Sequence, residues 1–314
     1  MAPANQQTSL AQVVSPHIRS MEQMLHSDFL QRDPESCGER LAASVAAIAY
    51  LSKGFKDPPV EVQLVLAETI RITLSVLETL PENDDVRSKT FVLLQRMILC
   101  LHTKILPTMP RFLRLLIEHC TTEDIQDLAQ LLNQLSIKFG ADAIPVIDPA
   151  LLPFLRKCHE LVPSVGEVVA SASSHVPPHL LTEQLSVKKL TFTVLQHVVT
   201  YRLSPVLLSP TNANSLELVL GTMSEAAIHV QDPVVKKACT TFFRELVDQW
   251  VDDGSSNEAI CSVRAGFLRF VLQVYIPGML QCMLSPAFDH EDAIHARNLS
   301  EFANTLLLLK SRIP

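Results

Sequence analysis

Six cations stand between Arg87 and Ile117 with no acid among them: Arg87, Lys89, Arg96, Lys104, Arg111 and Arg114. The formal net charge of the 314-residue chain is -7, so the molecule as a whole has no general attraction for nucleic acid or for an anionic membrane. Any site for a polyanion must therefore be local, and segregated cations are its signature. A second acid-free stretch, between Glu183 and Glu217, carries Lys188, Lys189 and Arg202; a third, between Glu258 and Asp289, carries Arg264 and Arg269. The candidate phosphate contacts are Arg87, Lys89, Arg96, Arg111, Arg114, Lys188 and Lys189, followed by Lys236, Lys237 and Arg244. With three tyrosines and one tryptophan there is no aromatic-interleaved platform for single strands. Recognition would run through backbone and shape, as for folded duplex RNA. The competing reading makes these cations solvated positions, or partners of acids on a neighbouring element. Sequence leaves both standing.

Other chemistry finds no foothold. Eight glycines, spread singly, form neither a phosphate-cradling loop nor a dinucleotide turn. His290 and His295 are five apart, where two zinc ligands on one helix face need a spacing of four. His175 and His179 have that spacing, but Pro177-Pro178 between them breaks the helix it assumes. The neighbours Cys100/His102, His119/Cys120 and Cys158/His159 project in different directions from a helix and make poor chelators. No serine sits in a G-x-S-x-G turn. The expectation is a binding protein without catalytic residues, metal or cofactor. The seven scattered cysteines, mostly in apolar runs, read as reduced core thiols of a nuclear or cytosolic protein. No unbroken apolar run reaches membrane-spanning length, so no membrane insertion is expected.

The elements that would carry the cations are helices. Hydrophobic residues make up 47% of the chain and recur in steps of three and four, as at Leu64, Ala67, Ile70, Leu74 and Leu77. Short breakers such as Asp57-Pro58-Pro59, Pro81-Glu82-Asn83-Asp84, Cys120-Thr121-Thr122-Glu123 and Gln231-Asp232-Pro233 separate these stripes. Short helices joined by tight turns imply antiparallel hairpins, each needing a neighbour to cover its apolar face. The fold class is all-α: a HEAT-repeat α-solenoid, a right-handed superhelix of helix hairpins. Three turns fit the HEAT pattern, in which Asp or Pro leads into Val and a basic residue at the head of the second helix. They are Asp57-Pro58-Pro59-Val60, Asp84-Asp85-Val86-Arg87 and Asp232-Pro233-Val234-Val235-Lys236. Asp can cap the helix, Pro is tolerated in its first turn, and Val starts the buried stripe. Residues 37–314 are read as the solenoid, 163–179 as a flexible insertion, and 1–36 as a poorly defined N-terminal segment. On a helix from about Val86 to Lys104, Lys89 and Arg96 share a stripe opposite Leu94, Ile98 and Leu101.

Four segments resemble the exportin-t family, the tRNA exportins of the importin-β (karyopherin) superfamily, in its C-terminal half. They are Arg87-Ser88-Lys89-Thr90-Phe91 with Leu94 to Leu101; Ile105-Leu106-Pro107; Thr122 to Asp127 with Leu131 to Leu135 and Lys138-Phe139; and Asp232 to Cys239 with Leu246 to Trp250. The likeness runs in order across residues 40–312. It implies a non-catalytic superhelix that wraps tRNA together with the GTP form of the Ran GTPase in the nucleus. Passage through the pore, with nuclear pore proteins as further partners, and release in the cytoplasm on GTP hydrolysis are implied as well. The family's principal Ran-binding region lies in N-terminal repeats. The chain begins after them and reads as a fragment, a truncated product or a divergent short form, so Ran-dependent loading cannot be assigned to these residues. The alternative is a protein-binding HEAT scaffold or transport adaptor with no RNA contact.

Overall fold

The computed structural model describes residues 3–55, 57–161, 178–230, 232–251, 257–286, 288 and 291–313, and the described residues are helical with no strand. The chain divides into two compact units, Met1–Asp142 and Ala143–Pro314. The stretch 163–177 of the expected insertion lies outside the described residues, and Pro178 already opens a helix.

Unit 1 holds α1 (Pro3–Leu25), the short α2 (Asp28–Arg32), α3 (Pro34–Leu51), α4 (Val60–Thr79), α5 (Asp84–Leu101), α6 (Met109–Glu118) and α7 (Ile125–Phe139). Packing sorts them into two layers. In one, α4 touches both α1 and α6; in the other, α5 touches both α3 and α7, and α1–α3 and α4–α5 pair across the layers as hairpins. This is the all-α HEAT-type stack that the spacing of apolar residues predicts. The first 36 residues depart from expectation: α1 buries Val14, Ile18 and Met21 and packs on α3 and α4. Steps of four and three within a polar stretch supply a full apolar stripe. On α4 the expected stripe is rotated. Ile70, Leu74 and Leu77 are buried, but Leu64 is 66% exposed, and Val62, Leu66, Thr69, Thr73 and Val76 complete the inward face.

Turn residues lock the hairpins. Asn83 caps α5 by accepting from the Val86 N–H at 2.9 Å. Its amide lies against Gly38 of α3, where an added Cβ would meet Asn83 Nδ2 at 2.4 Å. Only glycine admits that approach.

Unit 2 holds α8 (Ile144–Leu161), α9 (Pro178–Thr200), α10 (Leu216–His229), α11 (Pro233–Trp250), α12 (Glu258–Phe270), α13 (Ile276–Met283) and α14 (Ala293–Arg312). Here α11 is central: it packs between α9 and α14 and pairs with α10, which also touches α13. Aromatic contacts bind these helices, with Tyr275 stacked on Phe243 at 4.1 Å, Phe302 edge-on to Tyr275 at 6.1 Å, and Trp250 edge-on to Phe267 at 5.1 Å.

A π turn, Val271–Tyr275, joins α12 to α13 into one run, Glu258–Met283. By length and composition this run could cross a membrane, with mean hydropathy 1.4 in its most apolar window. The run is not unbroken, since Arg264 and Arg269 interrupt it. Its inward residues are Ile260, Phe267, Val271, Tyr275, Met279 and Met283, mostly four apart. In a regular helix each step of four over-rotates by about 40°. The wider π turn takes back part of that drift and keeps the stripe facing α11 and α14.

At the head of α11, Asp232 Oδ1 accepts from the N–H groups of Val234 at 3.0 Å and Val235 at 3.1 Å, while Oδ2 takes Lys189 Nζ at 2.7 Å. Burial pushes this carboxyl up, but the Lys189 hydrogen bond and the two backbone donors outweigh it and leave it below the ordinary carboxylate value. Stability from Asp232 is therefore present above pH of about 4 and lost as pH falls through the lower folded value. Asp232→Ala should cost about 1–2 kcal/mol at neutral pH, mostly from the lost cap. Denaturant titrations at neutral and acid pH should show that difference shrinking on the acid side.

Candidate nucleic-acid interface

Arg87 heads the basic cluster, and the fold turns it inward. It is 1% exposed. Its Nε donates to Asp124 Oδ2 at 2.8 Å, Nη1 to the Pro81 carbonyl at 3.1 Å, and Nη2 to Asp84 Oδ1. Asp124 precedes α7 but does not cap it; the same Oδ2 accepts from Thr121 N and Oγ1, each at 3.0 Å. A guanidinium committed to three acceptors in the interior is no phosphate contact, so that expectation for Arg87 is corrected. It ties the first turn of α5 to the turn before α7.

Lys236 is corrected for the same reason. It stands where Arg87 stands in the turn pattern, at the head of α11, and is 5% exposed. Its Nζ donates to the Ile228 carbonyl at 3.4 Å and to Cys282 Sγ at 3.1 Å. Three further candidates are accessible but engaged. Lys189 pairs with Asp232. Arg244 pairs with Glu301 at 2.7 Å and with the adjacent Glu245. Arg111, on α6, pairs with Glu78 of α4. Arg87 and Lys236 are thus turned inside, whereas Lys189, Arg244 and Arg111 are paired but accessible. Arg202 of the second acid-free stretch is likewise paired, with Asp248 at 3.1 Å.

Five candidates keep their charge available: Lys89, Arg96, Arg114, Lys188 and Lys237 have no carboxylate within ion-pair distance among the described residues. In unit 1, Lys89 and Arg96 are half-buried on α5, two turns apart, about 10 Å along the axis. They lie away from Leu94, Ile98 and Leu101, all of them buried. Arg114 is exposed on α6, in the other layer, and does not join that stripe. In unit 2, Lys188 on α9 and Lys237 on α11 are exposed on helices that pack against each other. The available cations thus fall mainly on α5 in unit 1 and on α9 and α11 in unit 2.

One feature went unread in the sequence. Tyr50 on α3 is 70% exposed, and Lys53 Nζ lies 4.9 Å from its ring centroid. An exposed ring beside a cation could stack on a base. The spacing of three was its signal, overlooked because tyrosines are so few. Among the described residues no group of His, Cys, Asp and Glu is arranged to hold a metal ion.

Sequence comparison adds family evidence to this geometry. The Exportin-T family model matches residues 1–312, taking in the N-terminal stretch as well. Exportin-T of Homo sapiens is 26% identical over 312 residues, covering 97% of this chain and 31% of its own length. Exportin-T of Mus musculus is 25% identical over 309 residues, covering 96% and 30%, and that of Arabidopsis thaliana 25% over 256 residues, covering 80% and 25%. The chain therefore spans under a third of the length of these curated relatives.

Burial separates the cations in stability as well as in access. Arg87→Met leaves Asp124 buried without its partner and should cost about 3–5 kcal/mol. Lys89→Met should stay within about 0.5 kcal/mol. Equilibrium denaturation of the two variants beside the wild type measures the contrast.

Proposed function

The chain belongs to the Exportin-T family, and on that footing we propose that it is a tRNA-binding portion of a Ran-GTP-dependent nuclear export receptor. It has no catalytic step of its own. The observation that carries the reading is the set of cations without carboxylate partners among the described residues: Lys89 and Arg96 on α5 in unit 1, Lys188 on α9 and Lys237 on α11 in unit 2. Without carboxylate partners, they can release counterions on meeting phosphates and follow a folded RNA backbone without reading bases. Arg114, and the accessible but paired Arg111, Lys189 and Arg244, are secondary contacts that would have to exchange a carboxylate for a phosphate. The tRNA is the cargo, and Ran in its GTP form the loading partner. Nuclear pore proteins are transient partners on a route between nucleus and cytoplasm. No cofactor is required.

A protein-binding scaffold is the second reading, and one observation favours it. Val60 and Leu64, one turn apart on α4, are 59% and 66% exposed, and such a surface suits an apolar partner face.

Filter binding of the chain to folded tRNA, with and without Ran-GTP, over a range of salt separates the two. Tight binding at low salt should fall steeply toward physiological salt, and Lys89→Glu with Arg96→Glu should weaken it. Each phosphate contact removed should flatten the log–log salt slope by about 0.7–0.9. Affinity indifferent to salt and to both reversals would leave the scaffold reading in possession.

A further inference from the structure

Five of the seven cysteines are buried. Burial pushes the thiol of Cys158 up to about 11 and raises those of Cys239, Cys37 and Cys100, so they stay neutral and inert near pH 7. Cys261 is exposed, with Arg264 Nη2 3.9 Å away. Cys282, half-buried on α13, is different: it lines a cavity of about 760 Å3 shared with His229 of α10, Lys236 of α11 and His295 of α14.

The placement is built from the sequence. Gly278 lets α13 lie directly on α10, since an added Cβ there would meet Ile228 Cδ1 at 2.3 Å. Cys282 follows one turn later on the same face. On the facing helix, the HEAT-type turn Asp232-Pro233-Val234-Val235 aims Lys236 inward. Its ammonium reaches the Ile228 carbonyl at 3.4 Å and Cys282 Sγ at 3.1 Å. No carboxylate pairs with Lys236 among the described residues. The cavity thus brings together a sulfur and an ammonium that is 5% exposed and within hydrogen-bond distance of it. The equivalent cation in unit 1, Arg87, has two carboxylates instead.

We propose that Cys282 is a modification site, a cavity-lining sulfur held against the Lys236 ammonium that reacts through its thiolate form with small electrophiles, above all hydroperoxides, entering through the cavity. Sγ attacks the distal peroxide oxygen, the S–O bond forms as the O–O bond breaks, and the departing oxyanion takes a proton from the Lys236 ammonium. The sulfur is oxidised by two electrons to a sulfenic acid, and the peroxide is reduced to water or an alcohol. Cys282 is thus the redox-responsive thiol of the chain although Cys261 is the more exposed.

Limiting iodoacetamide, and separately hydrogen peroxide with dimedone as the sulfenic-acid trap, followed by peptide mass mapping, test this on the full chain. Cys282 should be labelled ahead of Cys261 in the folded protein, and their rates should converge in denaturant. Lys236→Met should slow Cys282 about tenfold relative to Cys261, while Lys236→Arg retains most of the rate. Should Lys236→Met not fold, the folded-to-denatured rate ratio in the wild type decides alone. Labelling of Cys261 first, or a Cys282 rate indifferent to Lys236→Met, overturns the proposal.

Discussion

A guanidinium in the interior must find acceptors for its donors or the fold loses several kcal/mol, and Arg87 finds them in Asp124, Asp84 and the Pro81 carbonyl. The joint between α5 and the turn before α7 follows from that requirement. Asp124 gives up capping α7 to serve Arg87, Thr121 steadies the carboxylate, and the turn before α7 is thereby held at the first turn of α5. A hairpin stack needs such a tie, because apolar stripes are indifferent to small slides along the helix axis whereas a charged hydrogen bond is not. Lys236 occupies the corresponding place in unit 2, with a carbonyl and a sulfur where Arg87 has carboxylates.

This constraint decides which cations remain for a partner. The basic residue at the head of a HEAT-type second helix serves the stack. Further along the same helices and on their neighbours the cations divide: Arg244 and Lys189 are paired with carboxylates, whereas Lys89, Arg96, Lys188 and Lys237 are not, among the described residues. Lys89, Arg96, Lys188 and Lys237 are residues the repeat pattern does not specify, placed by helix period alone.

The all-α hairpin stack was legible in the sequence because steps of three and four and Asp/Pro turns state it directly. The inward face of α4 was not. That helix is apolar around most of its circumference, and Thr69, seemingly polar, goes inside by donating its hydroxyl to the Val65 carbonyl at 3.0 Å. Which cations are paired was not legible either, for a related reason. Acid-free stretches can be counted along the chain, but pairing happens across it: Asp124 is 37 residues from Arg87, Glu301 57 from Arg244, and Glu78 33 from Arg111. The sulfur facing Lys236 is 46 residues away, and a count of acids and bases passes over cysteines, so no charge count could find it.

The central claim is the division between inward ties and outward contacts, and amine footprinting reads it directly. Brief acetylation of the folded chain, with and without tRNA, followed by peptide mass mapping, should modify Lys89, Lys188 and Lys237 and spare Lys236. Added tRNA should then protect the first three. Lys236 acetylated as fast as its neighbour Lys237, in a chain still folded, would contradict the account.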